Sequence, residues 1–289
     1  MEKINVFGGT GFIGKNFCSK YKDNVIINDS NDHIPQSNNV LYLISTVDNY
    51  NIHKDLQIDI DTNLKILMQV LEHVKYNKNV IFNFVSSWFV YGQNPDIPFH
   101  EENTKCNPTG FYSITKHCAE QMLICFCNTF DIKYRIFRLA NVLGEGDEKI
   151  SSKKNALQFM IKEIVNDKDI HLYYGGEVLR DYIYIDDVCE GIKICLDKAP
   201  VNQIVNIGSG SPSRFLDIID KTIKNGRQVI LFRNRRGYSP QWLCDSCGNN
   251  IMCDNCDVSL TYHISSNSLK CHYCGFSSKA EKKCNTCGS

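Results

Sequence analysis

The chain has 289 residues, a length that fits one large domain or two modest ones, and its 43% of hydrophobic residues suffice for a packed core. Its formal net charge of zero excludes a broad electrostatic attraction to nucleic acid or membranes. No apolar run approaches the ~20 residues of a membrane-spanning helix, and no secretory signal pattern opens the chain. We therefore expect a cytoplasmic protein whose 15 cysteines stay mostly reduced.

Residues 1–215 alternate strand and helix patterns, which predicts an α/β fold with a Rossmann-like, doubly wound parallel sheet. The first predicted strand, Ile4–Phe7, ends in the pattern G-x-x-G-x-x-G, formed by Gly8, Gly11 and Gly14. Glycines allow a tight turn and let backbone amides approach a pyrophosphate at the amino end of a helix. The pattern therefore predicts a dinucleotide-binding turn.

The same turn comes close to the phosphate loop of ATP-binding proteins, G-x-x-x-x-G-K-[ST], but Asn16 stands where a hydroxyl residue would bind Mg²⁺. A dinucleotide is therefore favoured over ATP, with a purely structural turn as the other alternative. The second predicted strand, Val25–Ile27, ends near Asp29. A carboxylate there can accept hydrogen bonds from an adenosine ribose, which favours NAD over NADP.

A candidate proton-transfer site follows the predicted strand of residues 79–91. Tyr112 and Lys116, spaced i and i+4, lie on one face of a predicted helix. An ammonium beside a phenol lowers the pKa of the phenol, which could then take a proton from a carbinol while hydride leaves to nicotinamide. Ser87 could hydrogen-bond the same oxygen. A single Y-x-x-x-K often marks only an exposed helix face, but its position after the glycine turn and the S-S-x-x-V-Y-G strand makes it a strong signal.

These motifs resemble the extended short-chain dehydrogenase/reductase family, the NAD-dependent sugar-nucleotide epimerases and dehydratases. The resemblance extends to about residue 215 and includes the segments 137–144, 180–188 and 205–210. It implies a catalytic triad of Ser87, Tyr112 and Lys116, and contacts of Asn141 and Arg180 with a nucleotide-sugar, since guanidinium pairs well with phosphate. It also implies that NAD is bound by Gly8, Gly11, Phe12, Ile13, Gly14, Asp29, Tyr112 and Lys116.

The chain departs from this family in three places. Trp88 and Phe89 stand where the 4,6-dehydratases carry an acid pair, which disfavours loss of water and leaves epimerisation or 4-keto reduction. The segment between Asp29 and the next predicted strand, Leu41–Ser45, is short, so we expect one strand–helix element to be missing and the adenine side to be less enclosed. The segments that close over the sugar-nucleotide have no counterpart here, which predicts a truncated substrate lobe and impaired turnover. The resemblance makes a homodimer plausible.

Residues 216–243 form a predicted connecting helix and strand, and residues 244–289 a predicted zinc-binding module. Each C-x-x-C pair aims two thiolates at one point, so two pairs complete a tetrahedral Zn²⁺ site. Zinc is favoured over thiols that merely pack or oxidise, and spacing alone permits sequential, crossed or nested pairing. The four pairs are Cys244/Cys247, Cys253/Cys256, Cys271/Cys274 and Cys284/Cys287.

Residues from about 216 to 289 resemble the zinc-binding region of primosomal protein N-prime, the replication-restart helicase. The shared signature is Q-V-I-L-F-x-N-R-R-G-Y-S-P followed by the four cysteine pairs. The resemblance implies nested pairing and two zinc ions, one held by Cys244, Cys247, Cys284 and Cys287 and the other by Cys253, Cys256, Cys271 and Cys274. Motifs of the ATP-driven motor are absent from the sequence, so we expect no strand separation.

An alternative function follows from the second resemblance: a zinc protein that binds single-stranded DNA or primosome proteins. Basic and aromatic side chains would contact phosphates and stack on bases, although a solvated basic face with packed aromatics is at least as plausible. A third interpretation is that two gene fragments are joined without a selected joint function. The candidate DNA-contacting residues are Arg233, Arg235, Arg236, Lys270, Lys279, Lys282, Lys283, Tyr238, Trp242, Tyr262 and Tyr273.

Overall fold

The structure, a computed structural model of the chain, describes residues 3–47, 51–92, 100–147, 156–166, 168, 176–215, 217, 247, 251–253, 255, 260–263, 267–271, 274–279 and 287. The chain divides into two compact units, residues 1–229 and residues 230–289. This division falls inside the predicted connecting segment, and the predicted domain limits at residues 215 and 243 stay a prediction.

The first unit is built from short strands and helices that alternate along the chain. Its strands are β1 (Ile4–Phe7), β2 (Val25–Ile27), β3 (Asn39–Tyr42), β4 (Ile81–Ser87), β5 (Lys133–Leu139), β6 (Asn141–Leu143), β7 (Leu179–Arg180), β8 (Tyr182–Tyr184), β9 (Gln203–Ile207) and β10 (Ser213–Arg214). Its α-helices are α1 (Phe12–Lys20), α2 (Ile58–Ile60), α3 (Ile66–Val74), α4 (Phe111–Phe130), α5 (Ala156–Val165) and α6 (Ile185–Lys198). A π-helical turn, Asp61–Lys65, joins α2 to α3.

Six strands form one parallel sheet in the order β2-β1-β3-β4-β5-β9. The predicted Rossmann-like class is therefore confirmed. β1 pairs with both β2 and β3, so the order of the strands reverses there. In open parallel sheets of this kind, ligands bind beyond the carboxyl ends of the strands at such a reversal.

The expected shortening between β2 and β3 is confirmed. Residues 28–38 contain neither a strand nor a helix, and among the described residues no strand pairs with the outer edge of β2. The side chain of Asn5, on β1, holds residues 28–38 against the sheet. Its Oδ1 accepts a hydrogen bond from the Gln36 N–H at 2.8 Å, and its Nδ2 donates to Asn28. Ile27 and Ile34, exposed by 49% and 56%, mark the uncovered side.

Helices cover both faces of the sheet, and alternation along the strands decides which core each side chain enters. On β5, Ile136 joins the core under α3 and α4, whereas Phe137 joins the core under α1 and α6. Both side chains are completely buried. Within the described part of the chain, no helix is long and apolar enough to cross a membrane.

The second unit contains a three-stranded antiparallel sheet of β11 (Thr261–His263), β12 (Ser268–Lys270) and β13 (Ser277–Lys279). Its described core is small and consists of Leu260, Leu269, Cys253 and Cys271, with partly buried neighbours. So little apolar burial rarely stabilises a fold alone, and small folds of this kind commonly need a metal or disulfides.

Candidate active site and candidate metal centre

The glycine turn connects β1 to α1 and leaves no room for larger residues. Gly8 has a φ of +83°, and a Cβ there would lie 3.0 Å from the backbone nitrogen of Ile44. A Cβ at Gly14 would collide with the carbonyl oxygen of Gly8. No side chain caps the amino end of α1, where Gly11 is the N-cap residue and Phe12 and Ile13 begin the helix. Its first N–H groups are therefore suited to an anion such as a pyrophosphate.

Asp29 lies two residues beyond the end of β2 and is exposed. Its Oδ1 accepts a hydrogen bond from the Asn31 N–H at 3.0 Å, which shapes the local turn. Asn28 is buried instead, and its Nδ2 donates to the carbonyl oxygen of Ile34 at 2.9 Å. The predicted contact of Asp29 with a ribose stays a prediction.

Ser87 and Tyr112 meet where β4 ends and α4 begins. The hydroxyls of Ser87 and Ser45 lie beside the phenol of Tyr112 and favour its ionised form, which lowers its pKa. The Phe89 ring packs edge-on against the phenol, with 6.1 Å between ring centroids. The three hydroxyls come from different elements, which converge because the carboxyl ends of neighbouring parallel strands lie at one edge of the sheet.

Lys116 lies one helical turn beyond Tyr112 and is buried, with 1% of its surface exposed. Its Nζ donates to the carbonyl oxygen of Val85 at 2.7 Å and lies 4.2 Å from the centroid of the Phe84 ring. Burial lowers the pKa of Lys116 to about 7, because desolvation penalises the ammonium more than nearby Glu120 stabilises it.

The ionisation of Tyr112 differs from the expectation. Burial raises the pKa of Tyr112, and the opposing influences are the hydrogen bonds from Ser87 and Ser45 rather than the charge of Lys116. The physical reason is that the Lys116 ammonium is directed at the Val85 carbonyl oxygen and is itself easily deprotonated. The pKa of Tyr112 is therefore raised, not lowered as predicted, and two serine hydroxyls rather than Lys116 partly oppose the effect of burial.

The lowered pKa of Lys116 should make the free energy of unfolding of the first unit depend on pH. Between pH 7 and about 10.4 an unfolded lysine binds a proton that folded Lys116 has lost, so the free energy of unfolding rises with pH. We expect Lys116→Met to stabilise the first unit most below pH 7, with an advantage that shrinks by up to about 1.4 kcal/mol per pH unit above it.

Urea unfolding of both proteins at pH 7, 8 and 9 measures this difference. Lys133→Met is the matched control, because Lys133 is exposed on β5, and its difference from wild type should not change with pH. A constant difference between Lys116→Met and wild type would contradict the pKa of about 7.

Arg180 lies beside the candidate site. Its guanidinium carbon is 5.0 Å from the ring centroid of Trp88, which stacks on Phe89 at 4.4 Å. Burial lowers the pKa of Arg180, which shows that its charge is partly desolvated. Asn141 instead directs its Nδ2 to the carbonyl oxygen of Asp181 at 3.0 Å, in the segment that follows Arg180. The substrate contacts of Arg180 and Asn141 stay predictions.

A buried polar cluster next to Tyr112 was not predicted. It is formed by Ser45, Thr46, Asp59, Asn63 and Thr115. A signal for it exists, because Asp59 and Asn63 are spaced i and i+4 and continue directly into the apolar face of α3. Polar residues on the buried face of a helix indicate partners in the interior.

Three cysteines of the second unit form a candidate metal centre. The Sγ atoms of Cys253, Cys271 and Cys274 lie within 4.8 Å of one another, and those of Cys253 and Cys274 are 3.6 Å apart. Three thiolates at this spacing suit Zn²⁺, which takes a fourth ligand to complete a tetrahedron. This grouping joins the second predicted pair to the third, which favours nested over sequential or crossed pairing.

Of the other five predicted zinc ligands, two lie within the described residues and three do not. Cys247 and Cys287 are described and exposed. Cys244, Cys256 and Cys284 lie outside the described residues, as do Arg233, Arg235, Arg236, Lys282, Lys283, Tyr238, Trp242 and Tyr273. The second zinc site therefore stays a prediction.

Comparisons with known proteins find two different families. The NAD dependent epimerase/dehydratase family matches residues 31–208, and the PriA DNA helicase Cys-rich region domain matches residues 253–279. A protein of Methanocaldococcus jannaschii, provisionally named a UDP-glucose 4-epimerase, is 28% identical over 268 residues, which cover 81% of this chain and 87% of that protein.

Two further proteins are similar to different parts of the chain. A crystal structure of UDP-glucuronic acid 4-epimerase from Bacillus cereus, in complex with UDP-glucuronic acid and NAD, has a TM-score of 0.69. It is 23% identical and covers 80% of this chain and 85% of that one, and at this identity the likeness shows the fold alone. The replication restart protein PriA of Bacillus subtilis is 42% identical over 93 residues, which are 31% of this chain but only 12% of PriA.

Proposed function

Because the chain belongs to the NAD dependent epimerase/dehydratase family, we propose that its first unit binds NAD and transfers hydride at C4 of a nucleotide-sugar, as a 4-epimerase or a 4-keto reductase. The observation that carries the proposal is the meeting of Ser87 and Tyr112 beside the buried Lys116, at the carboxyl ends of the parallel strands. The similar fold of an epimerase that binds UDP-glucuronic acid and NAD supports it.

Tyr112 is the proton acceptor in this proposal. NAD, when bound, accepts the hydride of the C4–H bond and can return it. Tyr112 takes the proton of the C4 hydroxyl as the C=O double bond forms, and Ser87 hydrogen-bonds the same oxygen. In the reverse direction Tyr112 gives the proton back to the carbonyl oxygen. Since burial raises the pKa of Tyr112, oxidation should become faster as the pH rises.

The aromatic pair at the end of β4 favours these reactions over loss of water. Trp88 and Phe89 stack on each other and fill the space after Ser87 with apolar rings. They carry no acid or base that could remove a hydroxyl group as water. Arg180, beside Trp88, would bind the phosphates of the nucleotide.

The proposal is tested by adding NAD⁺ and UDP-glucose, UDP-N-acetylglucosamine or UDP-glucuronic acid to the purified chain and separating the sugar-nucleotides by chromatography. An epimerase forms the 4-epimer without accumulating NADH, whereas a reductase, run in reverse, oxidises the C4 hydroxyl and releases the 4-keto sugar together with NADH. Because the substrate lobe is predicted to be truncated, single-turnover conditions with excess protein are used. Absence of both NAD binding and conversion would contradict the proposal.

A second candidate function concerns the second unit: binding of single-stranded DNA or primosome proteins. Lys270 and Lys279 are exposed. They lie on one face of the three-stranded sheet, since Lys279 pairs with Ser268, two residues before Lys270 on the same strand. Tyr262 lies opposite Leu269 and packs against the buried core, so it is a poor stacking surface. The similarity to the Cys-rich region of PriA supports this candidate.

Salt-dependent binding tests the second candidate. We expect labelled single-stranded DNA to bind the full chain with an affinity that falls as salt rises, with a smaller salt slope for Lys270→Ala/Lys279→Ala. If the chain has no measurable affinity for single-stranded DNA at low salt, DNA binding by the second unit is ruled out.

A further inference from the structure

The buried polar cluster connects Tyr112 to a carboxylate. Asn63 is its centre: its Oδ1 accepts from the Thr46 N–H at 2.9 Å and from Ser45 Oγ at 3.1 Å, and its Nδ2 donates to Thr46 Oγ1 at 2.9 Å. Thr46 Oγ1 donates in turn to Asp59 Oδ1. Asn63 Nδ2 also donates to Thr115 Oγ1 at 2.9 Å, and Thr115 Oγ1 donates to the backbone carbonyl oxygen of Tyr112 at 3.0 Å, so a continuous chain of hydrogen bonds runs from the backbone of Tyr112 to Asp59.

Asp59 and Asn63 are positioned by a π-helical turn. This turn, Asp61–Lys65, contains Asn63 and begins two residues after Asp59, at the end of α2. Such turns are rare and frequently occur at functional sites. Asp59 and Asn63 are 0% and 2% exposed. Burial of a carboxylate is costly unless it is paired, yet within the described residues Asp59 Oδ2 has no hydrogen-bond partner.

Among the described residues, Tyr112 is the titratable group of α4 that senses the charge of Asp59. Lys116 bonds the Val85 carbonyl oxygen instead, and Glu120 pairs with Arg138. The π-helical turn contributes Asp61 and Lys65, which are exposed and pair with each other at 3.6 Å. His53 lies in the 3₁₀ turn that contacts α2.

We propose that Asp59 is a positioning residue of the Tyr112 site, acting through Thr46, Asn63 and Ser45 and through its buried negative charge. This inference rests on the proposed role of Tyr112. Burial raises the pKa of Tyr112, the hydroxyls of Ser87 and Ser45 oppose that rise, and the negative charge of Asp59 adds to it. A phenol held in its protonated form can donate its proton to the 4-keto oxygen as hydride returns to C4, so Asp59 favours the reductive direction.

Titration of Tyr112 by NMR tests the inference without any substrate. The protein is labelled with [ζ-¹³C]tyrosine, and the signal of Tyr112 is identified by its loss in Tyr112→Phe. We expect Asp59→Asn, which keeps the shape and the acceptor oxygen but removes the negative charge, to lower the pH midpoint of this signal. The control Asp61→Asn, two residues away on the exposed side, should leave it unchanged.

A second variant separates the charge of Asp59 from the orientation of the network. Thr46→Val retains the carboxylate and the N–H that holds Asn63 but removes the hydroxyl that donates to Asp59. Asp59 is then no longer held toward Tyr112, so the midpoint of Tyr112 should fall. If Asp59→Asn does not fold, the result for Thr46→Val decides between the outcomes. An unchanged midpoint in the folded variants overturns the inference. A shifted midpoint in a chain that neither binds NAD nor converts sugar-nucleotides would overturn only the proposed function.

Discussion

Tyr112→Phe is expected to reduce the rate of sugar-nucleotide conversion by about 10²–10⁴-fold, the range typical for loss of a general acid–base group. The phenol lies beside the hydroxyls of Ser87 and Ser45, and phenylalanine has no oxygen that could carry the proton. Because phenylalanine keeps the ring against Phe89, the affinity for NAD⁺ should stay within a few-fold of wild type. The measurement is single-turnover conversion together with NAD⁺ titration calorimetry.

Tyr76→Phe is the matched control for this experiment, because Tyr76 is 85% exposed and lies away from β4. It should convert substrate at the wild-type rate. If Tyr112→Phe retained more than about a tenth of the wild-type rate, the assignment of the phenol as the proton-transfer group would be wrong.

Removal of metal is expected to unfold the second unit while the first unit stays folded. Structural zinc contributes about 10–16 kcal/mol in small zinc-finger peptides, far more than the described core of Leu260 and Leu269 can provide. We expect a strong zinc chelator, or Cys271→Ser, to abolish the slow amide exchange of residues 260–263 and 268–271. Exchange in β4 and β5 should be unaffected, because their core is separate.

Cys125→Ser is the control, since this thiol is exposed on α4. It should change neither metal content nor exchange. Zinc measured by elemental analysis is expected at two ions per chain, with a loss of one in Cys271→Ser. Unaltered protection of the second unit after complete removal of metal would show that the cysteines only pack.

The elements that could be predicted from the sequence are those with local signals. Ile4–Phe7 and Val25–Ile27 are strands as predicted, whereas the strand predicted over residues 79–91 ends at Ser87 and is followed by a 3₁₀ turn, Trp88–Tyr91. β3 differs: it spans Asn39–Tyr42, earlier than the predicted Leu41–Ser45. The reason is that Ser45 leaves the sheet to meet Tyr112 and Asn63, and such a contact has no local signature.

The chemistry of the site was harder to predict than its members. Spacing places Lys116 on the same helix face as Tyr112, but the acceptor of its ammonium, the Val85 carbonyl oxygen, comes from another strand. Likewise, four C-x-x-C pairs permit three pairings, and only the folding of β12 and β13 against Cys253 distinguishes them. Both results depend on contacts between distant residues.

A crystal structure of the chain with NAD⁺ tests the central claim most directly. We expect the pyrophosphate at the amino end of α1, against Gly11 and Phe12, and the nicotinamide ring near the hydroxyl of Tyr112. A glycine turn without cofactor at saturating NAD⁺, or a nicotinamide ring remote from Tyr112, would contradict the claim that this site transfers hydride.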